Sequence, residues 1–349
     1  MNLQETIEAV KPLDREAMER TKKRWDSIAH PLHSLGKLED ALVQIAGITG
    51  SDRIDLSKRA LVVMCADNGV VEEGVTQTGQ EITLLVAENL KKGQAASSIM
   101  SQVAGAQVVP VDVGINSQSS IRNRKVAWGT KNMAKEPAMT REQAVEALEV
   151  GISTAQELCR EGYRILATGE MGIGNTTTSS AVASVLLDRP VEEMTGRGAG
   201  LSTEGLKKKI AVIGQAIRLH NPQAEDPLDV LAKVGGFDLA GMAGVFLGGA
   251  ALGIPVVIDG FISGVAALLA ARLCPLAKDY MLASHLSKEP AARLVLDALG
   301  KEPFLTCDMS LGEGTGAVTL YPLLDMACAI YSRLGSFDDV EMEAYVPLD

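Results

Sequence analysis

Short apolar runs rich in β-branched residues recur along the chain: RALVVMCA (59–66), AQVVPVDV (106–113), YRILAT (163–168), IPVVID (254–259), YMLAS (280–284) and, less sharply, PFLTCD (303–308). Segments with helical periodicity separate them. Strands of this kind joined by helical crossovers predict a mostly parallel sheet flanked by helices, an α/β fold. The region before the first run is different. It has an amphipathic segment from Asp14 to Ala29, a turn at His30-Pro31 and a second helix from Lys37 to about Ala46. Residues 1–50 therefore read as a small helical subdomain, which the helix after Pro322 (322–349) is a candidate to join. Residues 51–321 read as the large α/β catalytic domain. The apolar stretch from Gly235 to Ala271 is broken by Asp238 and by the turn-containing segment Pro255–Gly260, so it predicts a buried helix, a strand and a second helix, not a membrane span.

Composition sharpens this picture. The chain has 349 residues, 46% of them hydrophobic but only 3% aromatic, so its core must be built from Ala, Val, Leu and Ile packed closely among many glycines. A net charge of −11 argues against nucleic-acid binding, which needs a concentrated basic face. The one basic cluster, Lys207-Lys208-Lys209, reads by itself as a solvated helix face. Five cysteines are scattered without CxxC spacing, which implies a reducing cytoplasm, and the polar N-terminus carries neither a secretory signal nor an anchor.

Polar residues and glycines gather where the predicted strands end: Asp67-Asn68-Gly69, Gly114-Ile115-Asn116, Gly169-Glu170-Met171-Gly172, Gly260 and His285. In open α/β sheets that edge binds ligands, so one pocket assembled from distant segments is expected. The most informative segment is Ala167–Ser180, a strand end, then glycines, then a hydroxyl-rich helix start suited to an anion. Gly169–Thr176 has P-loop spacing, yet Asn175 stands where the lysine belongs. Without that cation the loop suits a monophosphate better than a triphosphate. Glu170, a carboxylate inside an anion cradle, is best explained by ribose hydroxyls.

A second segment, Ser310-Leu-Gly-Glu-Gly-Thr-Gly316, sets one carboxylate among three glycines. A glutamate in an apolar, glycine-lined pocket has its charged form disfavoured, which suits Glu313 to proton abstraction. The third, Cys65–Thr83, is a long polar connection that reads equally as a plain loop or a binding loop. His285 has no Cys or His at metal-ligand spacing and reads as a structural histidine; no metal and no cofactor is called for.

At these residues the chain resembles, over essentially its whole length, the nicotinate-nucleotide dimethylbenzimidazole phosphoribosyltransferase family. The resemblance rests on Pro31–Glu39, Ala66-Asp-Asn-Gly-Val, Thr168-Gly-Glu-Met-Gly-Ile-Gly-Asn-Thr-Thr, Gly235-Gly-Phe-Asp, Val257–Ser263, Ser284-His-Leu-Ser-Lys-Glu-Pro and Leu311-Gly-Glu-Gly-Thr-Gly. It implies a Rossmann-like sheet plus a small helical domain, and an enzyme that moves the phosphoribosyl group of nicotinate mononucleotide to an aromatic base in cobamide assembly. Glu313 falls on the family's catalytic glutamate, with Leu311, Gly312 and Gly314 around it. Glu170 would meet the ribose or the incoming base. The loop of Gly172, Gly174, Asn175, Thr176, Thr177 and Thr178 would hold the monophosphate, and Lys209 falls on a phosphate-contacting lysine.

The segment Gly74–Thr83, with Thr76 and Gln80, would line the base pocket, but it departs from the family pattern, so adenine, other benzimidazoles and phenols stay open as acceptors. A homodimer is implied. A heterodimer with a homologue, and a catalytically weak nucleotide-binding subunit, are the alternatives that the sequence leaves standing.

Overall fold

Every residue of the first strand, β1 (Arg59–Ala66), is buried, because both faces of the sheet are covered. Ala60, Val62, Met64 and Ala66 pack into the core on one side, whereas Leu61, Val63 and Cys65 pack into the core on the other, as the two-residue period of a strand requires. Helices Arg141–Arg160, Phe237–Leu252 and Phe261–Leu273 build the first layer, and helices Lys37–Thr49 and Thr315–Arg333 build much of the second. This computed structural model describes residues 1–345.

Five further strands complete the sheet: β2 (Ala106–Gly114), β3 (Arg122–Asn123), β4 (Ile165–Met171), β5 (Val256–Ile258) and β6 (Met281–Ala283). Their order is β3-β2-β1-β4-β5-β6 and every pairing is parallel. The order reverses between β1 and β4, so the connections leaving those strands part and open a crevice at their C-terminal ends. The α/β expectation and the helix-strand-helix reading of 235–271 are met.

Two details differ from the sequence reading. Residues 303–308 form no strand; Leu305 makes only an isolated parallel bridge with His285. Pro303 has no N–H to give a ladder, and Asp308 takes a left-handed backbone (φ 51°) that ends any extended run. The two-residue strand β3 is polar and carries no periodic signal.

Helices Arg15–Ser27 and Lys37–Thr49 lie near the predicted places. The C-terminal helix does not start after Pro322; it begins at Thr315 and runs through that proline, which removes a single backbone rung. The segment that follows joins the N-terminal helices: Arg24 donates to the carbonyls of Tyr331 and Leu334, the rings of Trp25 and Tyr331 lie 5.2 Å apart, and Ile28 bridges to Ser336. Positions 346–349 of the predicted C-terminal segment lie outside the described residues. The first helix, Leu3–Ala9, is additional to the predicted elements and belongs with the other layer, where the Leu3 N–H donates to Glu149 Oε1. Among the described residues no helix is long and apolar enough to cross a membrane.

The glycine-rich, aromatic-poor composition is explained where helices Arg141–Arg160 and Phe237–Leu252 meet backbone to backbone. A Cβ on Gly151 would sit 1.9 Å from the Gly241 carbonyl oxygen, and one on Gly244 would sit 1.9 Å from that of Leu148. Neither obstacle is a side chain that can swing away. Gly244→Ala is therefore expected to destabilise the protein by about 1–3 kcal/mol, the usual scale for overpacking. The midpoint of chemical denaturation measures this, and an unchanged midpoint would mean that the helices separate without cost.

Candidate active site

Beyond the C-terminal ends of β4, β5 and β6 lies a cavity of about 290 Å³, the size of a small-ligand site. Three helices start at its rim: Asn175–Leu186, Phe261–Leu273 and Thr315–Arg333. Each has a glycine at its N-cap (Gly174, Gly260, Gly314), and no N-cap side chain closes the first turn. The positive ends of three helix dipoles therefore converge on one volume.

Glu313 enters this volume from a backbone that few residues adopt. Gly312, Glu313 and Gly314 have φ values of 87°, 58° and 84°, three left-handed residues in succession. Flanking glycines accept that geometry freely; the glutamate does so at a cost, as constrained functional residues often do. Its neighbours hold it. The Ser97 hydroxyl donates to Glu313 Oε2 at 3.1 Å, and the Glu313 N–H points at Glu170 Oε1 at 3.4 Å. Asp259 accepts from the N–H groups of Gly314 (3.2 Å) and Ala317 (2.9 Å), which secures the start of the following helix.

Glu170, near the end of β4, is buried, and its carboxyl is pushed well above the usual carboxylate range, first by loss of water and then by the charges of Asp238 and Asp259. The Asn175 amide donates to its Oε2. Asp259 is raised chiefly by burial, with the facing His285 pulling the other way. Behind Thr176, Lys209 Nζ donates to Thr176 Oγ1 at 2.8 Å and to the Gly196 carbonyl at 3.2 Å. Burial lowers Lys209 to about 8 against the pull of Glu289, and burial raises Glu289. At neutral pH the lysine still carries its charge.

Of the residues singled out in the sequence, Glu170, Gly172, Asn175, Thr176, Leu311, Gly312 and Glu313 share the cavity wall. Gly174 and Gly314 are the glycine caps behind it. Lys209 reaches it through Thr176. Thr177 and Thr178 are buried in the first turn of their helix, where Thr178 Oγ1 donates to the Asn175 carbonyl. Thr76 and Gln80 stand away from the cavity. Thr76 Oγ1 donates to the Thr78 carbonyl, and Gln80 Nε2 donates to the Asn68 carbonyl. The helix Glu81–Lys92 that follows turns Ile82 and Val86 inward instead, one helical turn apart on one face.

The cavity also contains residues beyond those assigned a role from the sequence. His285, read as structural, lines it together with Asp259, Ser287 and Glu289. Asp259 directly follows a strand and His285 stands two residues after one, and that position is the available signal. Ser97, which holds Glu313 without lining the cavity, has none: it is one hydroxyl in a helix start far along the chain. Among the described residues no group of three or more His, Cys, Asp or Glu is disposed to hold a metal ion.

A family model described as "Phosphoribosyltransferase" matches residues 10–342. A nicotinate-nucleotide–dimethylbenzimidazole phosphoribosyltransferase of Acetivibrio thermocellus is 49% identical over 346 residues, covering 98% of this chain and 99% of the relative. One from Clostridium acetobutylicum is 46% identical over 351 residues, covering the whole of both chains. The crystal structure of CobT from Thermus thermophilus superposes with a TM-score of 0.89 at 39% identity, over 95% of this chain and 100% of that one. With the strand order, the glycine-held glutamate and the lysine-backed helix start all present, the chain belongs to the nicotinate-nucleotide dimethylbenzimidazole phosphoribosyltransferase family.

Proposed function

We propose that the chain transfers the 5′-phosphoribosyl group of nicotinate mononucleotide to an aromatic base, releasing nicotinate and forming the α-ribotide phosphate used in cobamide assembly. The observation that carries this reading is the single cavity that contains both Glu313 and the Glu170–Thr176 turn, residues far apart in sequence. In this reading the phosphate sits at the start of helix Asn175–Leu186, where backbone N–H groups, the helix dipole and the Lys209 ammonium beside Thr176 all favour an anion. The base lies against the apolar side chains of Ile82, Val86, Met171 and Leu311, with Glu313 at its edge.

The chemistry then follows from charge. The bond between the anomeric carbon and the pyridine nitrogen breaks with its electron pair going to nicotinate, which neutralises the ring's positive charge. Positive charge develops on the ribose as the bond stretches, and the carboxylates at the cavity wall oppose it. The base nitrogen attacks the opposite face, which inverts the β-linked nucleotide to an α-linked product, and Glu313 accepts the proton that the nitrogen loses. With a phenolic acceptor the proton comes from oxygen. Because this part of the wall is made by Ile82 and Val86, with Thr76 and Gln80 away from it, base choice rests on apolar fit more than on hydrogen bonding.

We further infer a homodimer in the cytoplasm. The exposed side chains of Leu85, Ile99, Val103 and Leu311 support the first inference, and five free cysteines support the second.

Incubation of the protein with nicotinate mononucleotide and a panel of benzimidazoles, adenine and phenols, with nicotinate followed by chromatography, tests the reaction; no release with any base would reject it. Glu313→Gln keeps the shape and loses the basicity, so kcat is expected to fall by about two orders of magnitude or more. Turnover near the wild-type rate would take the proton-accepting role away from Glu313. Lys209→Ala removes a charged donor to the phosphate and is expected to raise KM for nicotinate mononucleotide by roughly tenfold or more while kcat changes less, the scale of a hydrogen bond to a charged group. An unchanged KM would contradict that assignment.

A further inference from the structure

The motif Gly235-Gly236-Phe237-Asp238 takes no part in the reaction as derived above, yet it places a carboxyl group directly beneath the anion-cradling turn. Asp238 is fully buried on the first turn of helix Phe237–Leu252. A Cβ on Gly172 would lie 2.5 Å from its Oδ2, and a Cβ on Gly236 would lie 2.4 Å from its Oδ1 and 2.6 Å from Asn68 Oδ1. The acid is therefore wedged between the glycine turn above, Asn68 at the end of β1 and its own backbone.

Its hydrogen bonds are incomplete. Oδ1 accepts from the Leu239 N–H at 2.9 Å, but Oδ2 has no partner. Asn68 Oδ1, an acceptor, is also buried and without one, while Asn68 Nδ2 is turned toward the Ile173 carbonyl at 3.5 Å. Two buried acceptor oxygens on neighbouring side chains thus lack a donor, which is costly in a dry interior. A proton on Asp238 lessens the deficit, since a neutral carboxylic acid carries an O–H to donate.

We propose that Asp238 is a positioning residue which, as a neutral carboxylic acid, fixes the Gly172–Gly174 turn and the Asn175 amide in the shape that receives the nucleotide phosphate. The functional half of this statement rests on the reading of the cavity under Proposed function. Electrostatics point the same way. Burial raises Asp238 to about 7, against the opposing pull of the Leu239 N–H and of the nearby Asn68 and Asn175 amides. The ionisable groups that feel its charge are Glu170 on β4 and Cys65 on β1, and both are themselves raised, so a negative Asp238 would disfavour the charged form of each. Helix Asn175–Leu186 presents the neutral Asn175 and Thr178 on this side. A neutral acid also keeps one negative charge away from the site of an incoming phosphate.

Two variants and two measurements decide the matter. Asp238→Asn preserves a side chain that can donate and accept, and is expected to keep KM for nicotinate mononucleotide at pH 6.5 within about threefold of the wild type. Asp238→Ala removes the support and is expected to raise that KM by about tenfold or more, the loss of one buried hydrogen-bonding group.

The second measurement, equilibrium unfolding from pH 5 to 9, is independent of the reaction. An acid whose folded pKa lies above its unfolded value adds stability that is complete below the unfolded pKa and is lost as pH rises through the folded one. Wild-type stability should therefore decline as pH rises toward and past about 7, the folded value of Asp238, and Asp238→Asn should lack this part of the decline. If Asp238→Asn matches Asp238→Ala in KM, or unfolds with the same pH dependence as the wild type, the neutral acid is refuted. If Asp238→Ala keeps the wild-type KM, the positioning role is refuted. Should the alanine variant fail to fold, the asparagine variant and the unfolding profile still discriminate. A wild type that releases no nicotinate overturns the functional reading instead, and the unfolding comparison then decides the protonation state of Asp238 alone.

Discussion

The site depends on one close approach, the seating of the 312–314 backbone on strand β4. A Cβ on Gly169 would lie 2.6 Å from the Glu313 carbonyl oxygen and 2.8 Å from the Gly314 nitrogen, so any side chain there would lift the loop away. Because residue 169 is glycine, the 312–314 loop lies in contact with the strand that leads into the Gly172–Thr176 turn. The Glu313 N–H then comes within reach of the Glu170 carboxyl, and the start of helix Thr315–Arg333 comes within reach of Asp259. Two motifs distant in sequence become one cavity through backbone contact, a connection less easily loosened than a pair of long side chains.

That cavity combines features that would conflict in a simple anion site. Helix starts and Lys209 favour a phosphate, yet Glu170, Asp259, Glu289 and Glu313 all face the same space. The conflict is resolved by protonation and by distance. Burial raises Glu170, Asp259 and Glu289, which favours their neutral forms while the site is closed to water. Lys209 is tied to Thr176 and Glu313 to Ser97, so the cation and this acid are anchored to different elements. A ribose that becomes positive between them is a transient charge, and an acid at this wall that carries its negative charge responds to it more strongly than to the uncharged ribose of the bound nucleotide, which is the condition for lowering a barrier instead of only tightening binding.

Much of this is legible in the chain. Apolar runs locate the five longest strands, since burial on both faces leaves a nearly continuous hydrophobic signature, and the polar residues after them mark the correct edge of the sheet. Asn175 in place of a lysine points to a monophosphate, and the glycines around Glu313 announce a backbone without side-chain cover. Thr76 and Gln80 stand away from the cavity, and a loop of that length has no period, so nothing local says that the inward face begins only at Ile82. Ser97 is invisible for another reason: its meaning comes from a contact with a residue 216 positions away. Periodicity reports which face is buried, not what a single hydroxyl meets there.

The left-handed stretch at 312–314 bears on how the enzyme works as well as on how it folds. A non-glycine residue in that region costs about 1–3 kcal/mol unless its surroundings compensate. Here they do so from four directions: Ser97 on the carboxylate, Glu170 on the Glu313 N–H, Asp259 on the next N–H groups, and the bare Gly169 beneath. A loop held in this way is formed before substrate arrives. Little ordering entropy remains to be lost on binding, and the energy gained at the phosphate end can be used on the distortion of the sugar instead of on shaping the base pocket. The same logic fits the burial pattern, in which the acids that hold the glutamate are buried while the glutamate itself is only half-buried: the frame must be dry to be rigid, and the side chain it presents stays open to the cavity.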